Sequence, residues 1–86
     1  MQMLKIWADQ AWEDYLYWQD NEKKNVKKIN RLIKEIERHP FTGLGKPEPL
    51  KHEWKGYWSR HITQEHRLVY KVENDSILIA QARFHY

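Results

Sequence analysis

Apolar and polar positions divide the chain into stretches of different period. Residues 3–8, Met3-Leu4-Lys5-Ile6-Trp7-Ala8, are short, apolar and closed by Asp9, which predicts a strand. Asp9 is a suitable N-cap for a helix in which Ala11, Trp12, Tyr15 and Leu16 recur at helical spacing. Glu13 and Asp14 fall near the positive end of its dipole. Asp20-Asn21 interrupts that pattern, and a second helix runs from about Glu22 to Arg38. Val26, Ile29, Ile33 and Ile36 form its apolar stripe, while Lys24, Lys27, Lys28, Arg31, Lys34 and Arg38 cover much of the rest. So short a joint predicts an antiparallel helical hairpin, and Pro40 ends it.

Residues 40–56 hold every proline and glycine of the chain. They predict a long irregular loop in which Pro47 and Pro49 stiffen the backbone around Glu48. Loops of that length in small domains are usually functional or disordered. Residues 57–86 then alternate as three antiparallel strands, about Tyr57–Thr63, Arg67–Glu73 and Ile77–Phe84, with turns at Gln64-Glu65 and Asn74-Asp75.

The register of the last hairpin can be argued from its faces. A two-residue loop at Asn74-Asp75 would leave both faces mixed in polarity. One added residue places Leu68, Tyr70 and Val72 with Leu78, Ala80, Ala82 and Phe84. It places Arg67, Lys71, Gln81, Arg83 and His85 on the other face, with Val69, Ile77 and Ile79. The expectation is therefore an odd-length loop or a bulge, with Arg67, Arg83 and His85 on one surface.

These elements predict an α+β fold: an N-terminal strand, a helical hairpin, then a three-stranded antiparallel meander. At 86 residues the chain is expected to be one domain, 1–86, with a thin core burying roughly 60–65% of the unfolded surface. Five Trp and five Tyr help to fill it. Without cysteine there is neither a disulfide framework nor a thiolate zinc site. No apolar run approaches the ~18 residues a membrane span needs, and the first residues lack signal-peptide order, so no membrane role and a cytoplasmic location are expected.

Charge changes the picture more by distribution than by its total of +3. Residues 1–22 carry a balance of −4, whereas residues 23–38 set five Lys and two Arg against Glu35 and Glu37, a balance of +5. A basic middle fits a polyanion partner such as nucleic acid or the ribosome; it equally fits a solvated helix face.

The candidate chemistry is sparse. There is no phosphate-binding glycine loop and no HExxH, and the five His show no metal-ligand spacing, so neither metal nor cofactor is expected. What remains is Glu, Arg and His, a set suited to cutting RNA through its own 2′-hydroxyl. A base takes that proton, a cation stabilises the phosphorane, and an acid protonates the leaving 5′-oxygen. Glu48 is a candidate base, Arg67 a candidate phosphate fork and His85 a candidate acid. Residue types alone leave plainer roles open: a solvated loop charge, a strand-start arginine and a chain terminus. Trp54 and Trp58 fit core positions better than base-stacking platforms.

Longer motifs narrow the choice. Residues 46–52 read KPEPLKH, Tyr57-Trp58-Ser59-Arg60-His61-Ile62-Thr63 follows, residues 65–70 read EHRLVY, and the sequence given closes on Arg83-Phe84-His85-Tyr86. With Trp12-Glu13-Asp14-Tyr15-Leu16-Tyr17-Trp18 and Val26-Lys27-Lys28-Ile29-Asn30 upstream, the chain resembles the YoeB/Txe toxins of the RelE/ParE toxin–antitoxin superfamily along its whole length. The resemblance implies two helices on a mostly antiparallel sheet. It also implies mRNA cleavage in the ribosomal A site, a YefM-like antitoxin and a homodimer. It puts catalytic roles on Glu48, Arg67, His85 and Tyr86, and RNA or ribosome contacts on Lys51, His52, Arg60, His61 and Arg83. His61 stands where such toxins commonly carry a second arginine, and Met1-Gln2 precedes their usual start. The implied products are a 2′,3′-cyclic phosphate and a 5′-hydroxyl. Two other functions fit the fold: a ParE-like toxin that acts by binding, and a non-catalytic ribosome- or nucleic-acid-binding module.

Overall fold

A computed structural model describes residues 2–84. Its elements are β1 (Leu4–Trp7), α1 (Asp9–Asn21), α2 (Lys23–Arg38), β2 (Glu48–Pro49), β3 (Trp58–His61), β4 (Arg67–Glu73) and β5 (Ser76–Gln81), with one 3-10 turn at His52–Trp54. The five strands form one sheet in the order β1-β5-β4-β3-β2. β1 runs parallel to β5 and every other pair is antiparallel.

Asp9 does not cap α1. Ala8 holds that position in an extended conformation with no side-chain cap, and its N–H donates to Ile79 O at 2.9 Å, so the end of the sheet sets the start of the helix. The hairpin joint is a single residue. Glu22 is extended, donates its N–H to Trp18 O of α1, and accepts the Lys24 N–H of α2 on its carboxylate. The stripe expected on α2 is present and wider: Ile29, Leu32, Ile33 and Ile36 are buried, with Val26 at the margin. They meet Leu68, Tyr70, Ile77 and Ile79 in the core. Trp7 closes one end, its ring 4.9 Å from Tyr15 and 5.8 Å from Trp12.

Two expectations require correction. The 40–56 segment is not wholly irregular, because Glu48 and Pro49 pair with Ser59 and Trp58 to add a fifth strand. Pro49 lacks an N–H, and an edge position is where a sheet tolerates that. Leu50 carries the pairing on, donating to Tyr57 O at 2.9 Å and burying its side chain.

The β4–β5 turn is a two-residue turn, with Glu73 opposite Ser76 and both Asn74 and Asp75 at positive φ (50° and 60°). That is the mirror-image turn whose twist matches the strands, and Asn and Asp tolerate the left-handed region best after Gly. The extra residue lies further on: Tyr70 pairs with Ile79 but Val69 with Gln81, leaving Ala80 as a bulge. Ile77 and Ile79 therefore join the core beside Val72 and Tyr70, opposite to the expected partition, and Leu78 shares the outer face with Lys71. Beyond the bulge the faces exchange, so Ala82 is buried in the core and Gln81 lies with Val69.

Candidate active site

Both helices pack on one face of the sheet, and among the described residues no helix covers the other. Register identifies that outer face. Glu48 lies opposite Ser59, Ser59 opposite Val69, and Val69 opposite Gln81, a straight row across four strands. One step along, His61 lies opposite Arg67. Strands are roughly 4.8 Å apart and residues rise roughly 3.4 Å, so the Glu48 and Arg67 Cα atoms are on the order of 12 Å apart. Ser59 and Val69, which lie in the row between them, are buried, at 1% and 0% exposure.

Glu48 is exposed beside a cavity of about 300 Å³ that Lys51, His52 and Trp54 also line. Lys51 and His52 are exposed, and His52 opens the 3-10 turn at φ 58°. The backbone there is in the left-handed region, which His enters more readily than most residues. His61 is half-buried, and its N–H donates to Gly45 O at 2.7 Å, tying the proline-rich loop to β3.

Arg67 is only 8% exposed. Its Nη1 donates to the carbonyls of Thr63 (3.1 Å), Gln64 (2.9 Å) and His66 (3.3 Å), which closes the turn before β4. Half of its fork is thus structural, and Nε and Nη2 have no partner among the described residues.

Two arginines expected at the RNA surface lie elsewhere. Arg60 is on the helix side of β3 and fully buried. Its Nε donates to Tyr70 Oη (3.0 Å), Nη1 to Leu44 O (2.9 Å), and Nη2 to His39 O and Thr42 O (3.0 Å). The guanidinium replaces a layer of secondary structure under the 39–44 loop, gathering carbonyls that the irregular backbone leaves without partners. Arg83 does not join Arg67. It follows the bulge into the α1 side, with its Cζ 3.4 Å from the Tyr17 ring centroid, a cation–π stack.

Burial raises the Tyr70 hydroxyl above its ordinary pKa, with the neighbouring Arg60 charge acting against it. His85 and Tyr86 lie outside the described residues. Among the described residues no cluster of three His, Asp or Glu groups forms a metal site, and no helix is long and apolar enough to cross a membrane.

Sequence reasoning missed a second set of polar residues, around the segment that leads to His85. Asp14 is 3% exposed and accepts the Ala82 N–H at 3.0 Å, and Trp18 Nε1 donates to Ala82 O at 2.8 Å. His66 Nδ1 accepts the Phe84 N–H at 2.8 Å. Asp14 and Trp18 are four residues apart, one turn of α1, which is the only signal one sequence offers that both face the same target.

Comparison with known proteins agrees with this architecture. Residues 7–86 match the family model for YoeB-like toxins of bacterial type II toxin–antitoxin systems. The chain is 62% identical to the Escherichia coli K12 toxin YoeB over 84 residues, which covers 98% of this chain and 100% of the relative. The Staphylococcus aureus YoeB dimer superposes with a TM-score of 0.94 at 49% identity, and the toxin in the S. aureus YoeB–YefM heterotetramer with 0.91 at 49%; each covers 100% of both chains.

Proposed function

The chain belongs to the family of YoeB-like toxins of bacterial type II toxin–antitoxin systems, and from that premise we propose that it is a cytoplasmic, single-domain endoribonuclease that cuts mRNA in the ribosomal A site. The observation that supports the reading is the shared outer face of Glu48 and Arg67, their Cα atoms on the order of 12 Å apart on either side of the buried Ser59 and Val69. Glu48 takes the proton of the ribose 2′-hydroxyl. The freed oxygen attacks the adjacent phosphorus, and Nε and Nη2 of Arg67 stabilise the phosphorane. His85 donates a proton to the 5′-oxygen as the P–O5′ bond breaks, which leaves a 2′,3′-cyclic phosphate and a 5′-hydroxyl. Tyr86 completes the set. Base, cation and acid all come from side chains, so the scheme routes no step through a metal ion.

Lys51, His52 and His61 border this face and are assigned to RNA or ribosomal contacts. The basic face of α2 supplies longer-range attraction to ribosomal RNA. The S. aureus structures hold YoeB with YefM and as a dimer; a YefM-like antitoxin and a homodimer are proposed for this chain on that basis. The test uses translating ribosomes with a defined mRNA and compares wild type with Glu48→Gln. A general base contributes roughly 10²–10⁴-fold, so the variant is expected to cut at least about a hundredfold more slowly.

A further inference from the structure

We infer that Asp14, Trp18 and His66 act as positioning residues that clamp residues 82–84, the backbone that precedes the candidate acid; the inference rests on the catalytic assignment of His85 and Tyr86. β5 ends at Gln81, so the next three residues have no ladder to hold them. Each is instead tied down individually. Ala82 is held at both backbone polar groups, by Asp14 Oδ2 and by Trp18 Nε1. Arg83 stacks on Tyr17, and its carbonyl accepts from Gln81 Nε2 at 2.8 Å. Phe84 gives its N–H to His66 Nδ1, and its carbonyl accepts the Arg67 N–H at 3.0 Å.

Phe84 also sits at φ 64°, a costly region for a bulky residue that persists only where the surroundings impose it. Its ring is exposed and touches only Arg83 and His66 among the described rings and cations, while two hydrogen bonds hold its backbone. The next two residues in sequence are the candidate acid and Tyr86. Geometry of this kind governs rate: a displacement of about 1 Å at a reacting group costs on the order of a hundredfold.

The function of His66 is then specific. Its Nδ1 must offer a lone pair to the Phe84 N–H, while its ring stands edge-on to Trp18 with centroids 4.8 Å apart. His66→Phe keeps the ring and removes the acceptor. His66→Asn keeps an acceptor oxygen near the position of Nδ1 and removes the ring. Both are compared with wild type for the maximal cleavage rate at saturating ribosomes, for the half-saturating ribosome concentration, and for hydrogen exchange of the Phe84 amide.

The expected result is a maximal rate on the order of a hundredfold lower in His66→Phe, with unchanged half-saturation and faster Phe84 exchange, and recovery of both rate and protection in His66→Asn. Asp14→Asn replaces one acceptor oxygen by a donor and should shift the Ala82 amide in the same direction, so the test does not depend on one variant folding. Wild-type cleavage by His66→Phe, or His66→Asn as slow as His66→Phe, overturns the inference. If wild type itself does not cut, the proposed function fails, while the amide exchange still decides whether the clamp exists.

Discussion

The guanidinium of Arg60 and the phenol of Tyr70 form a buried hydrogen-bonded pair, Nε to Oη at 3.0 Å, and the phenol in turn donates a hydrogen bond to Pro40 O at 2.8 Å. Together they hold the carbonyls of His39, Pro40, Thr42 and Leu44, the first half of the segment that ends in Glu48. Removing either partner leaves buried polar groups unpaired, at a cost of about 1–3 kcal/mol each. Tyr70→Phe should therefore lower stability by about 1–3 kcal/mol and Arg60→Met by more than about 3 kcal/mol. In a domain of this size about 3 kcal/mol is on the order of 15 °C in Tm, readable by calorimetry. A change below about 2 °C in both variants would contradict this role.

Burial raises the Tyr70 pKa, so the folded state holds the phenolic proton more tightly than the unfolded chain does. The corresponding stability is present below the ordinary tyrosine pKa of about 10 and is lost as pH rises through the folded value. Alkaline unfolding should be less steep in Tyr70→Phe than in wild type. Parallel Tm-against-pH curves above about pH 10 would contradict this.

Glu37 shifts the other way. Its carboxylate accepts from Lys5 Nζ at 2.6 Å and from the Met3 N–H at 2.8 Å, and the Lys5 bond is the main reason its pKa lies below the ordinary 4.5. The contribution is complete above that value and is lost as pH falls through the folded one. This pair pins β1 to α2, so Glu37→Gln should lower Tm at neutral pH and converge with wild type in acid. A gap that stays constant down to about pH 2 would refute the assignment.

Gly45 lies at φ 88°, and a Cβ there would meet Leu32 Cδ2 at 2.8 Å and Arg60 Cβ at 3.1 Å. Its carbonyl also accepts the His61 N–H, so the loop approaches β3 as closely as backbone allows. Gly45→Ala should cost about 1–3 kcal/mol through strain and overpacking. It should also slow RNA cleavage by displacing Glu48, four strands' width from the core's other edge. Unchanged stability in chemical denaturation would count against so tight an approach.

The helices and the faces of β4 were legible because their residues repeat at 3.6 and 2 over several turns or pairs, whereas the faces of β5 were not. Ile29, Ile33 and Ile36 needed only spacing to be assigned to the core. The position of the β5 bulge was not legible, since Asn74-Asp75 fits a two-residue turn and a longer loop alike. β2 was hidden because two residues, one of them a proline, carry no period. Arg60 was read as a surface charge because nothing in one sequence says that three loop carbonyls and a phenol will gather round it. Glu48 and Arg67 were proposed from chemistry and motif. Asp14 and His66 were overlooked because their partners are backbone groups of Ala82 and Phe84, which no residue type announces.

Arg67 joins fold and proposed chemistry in one side chain, holding the 63–66 turn through Nη1 while Nε and Nη2 serve phosphate. Arg67→Lys keeps the charge and loses the fork, so it should lose both stability, by about 1–3 kcal/mol, and cleavage rate. Retention of full activity would remove Arg67 from the phosphate site.

The central claim is A-site cleavage with Glu48 as the base. Translating ribosomes programmed with one mRNA, followed by mapping of the cut ends, test it most directly. The account predicts a cut within the A-site codon that leaves a 2′,3′-cyclic phosphate, made at least about a hundredfold more slowly by Glu48→Gln. No A-site cut by wild type, or equal cutting by Glu48→Gln, would contradict it.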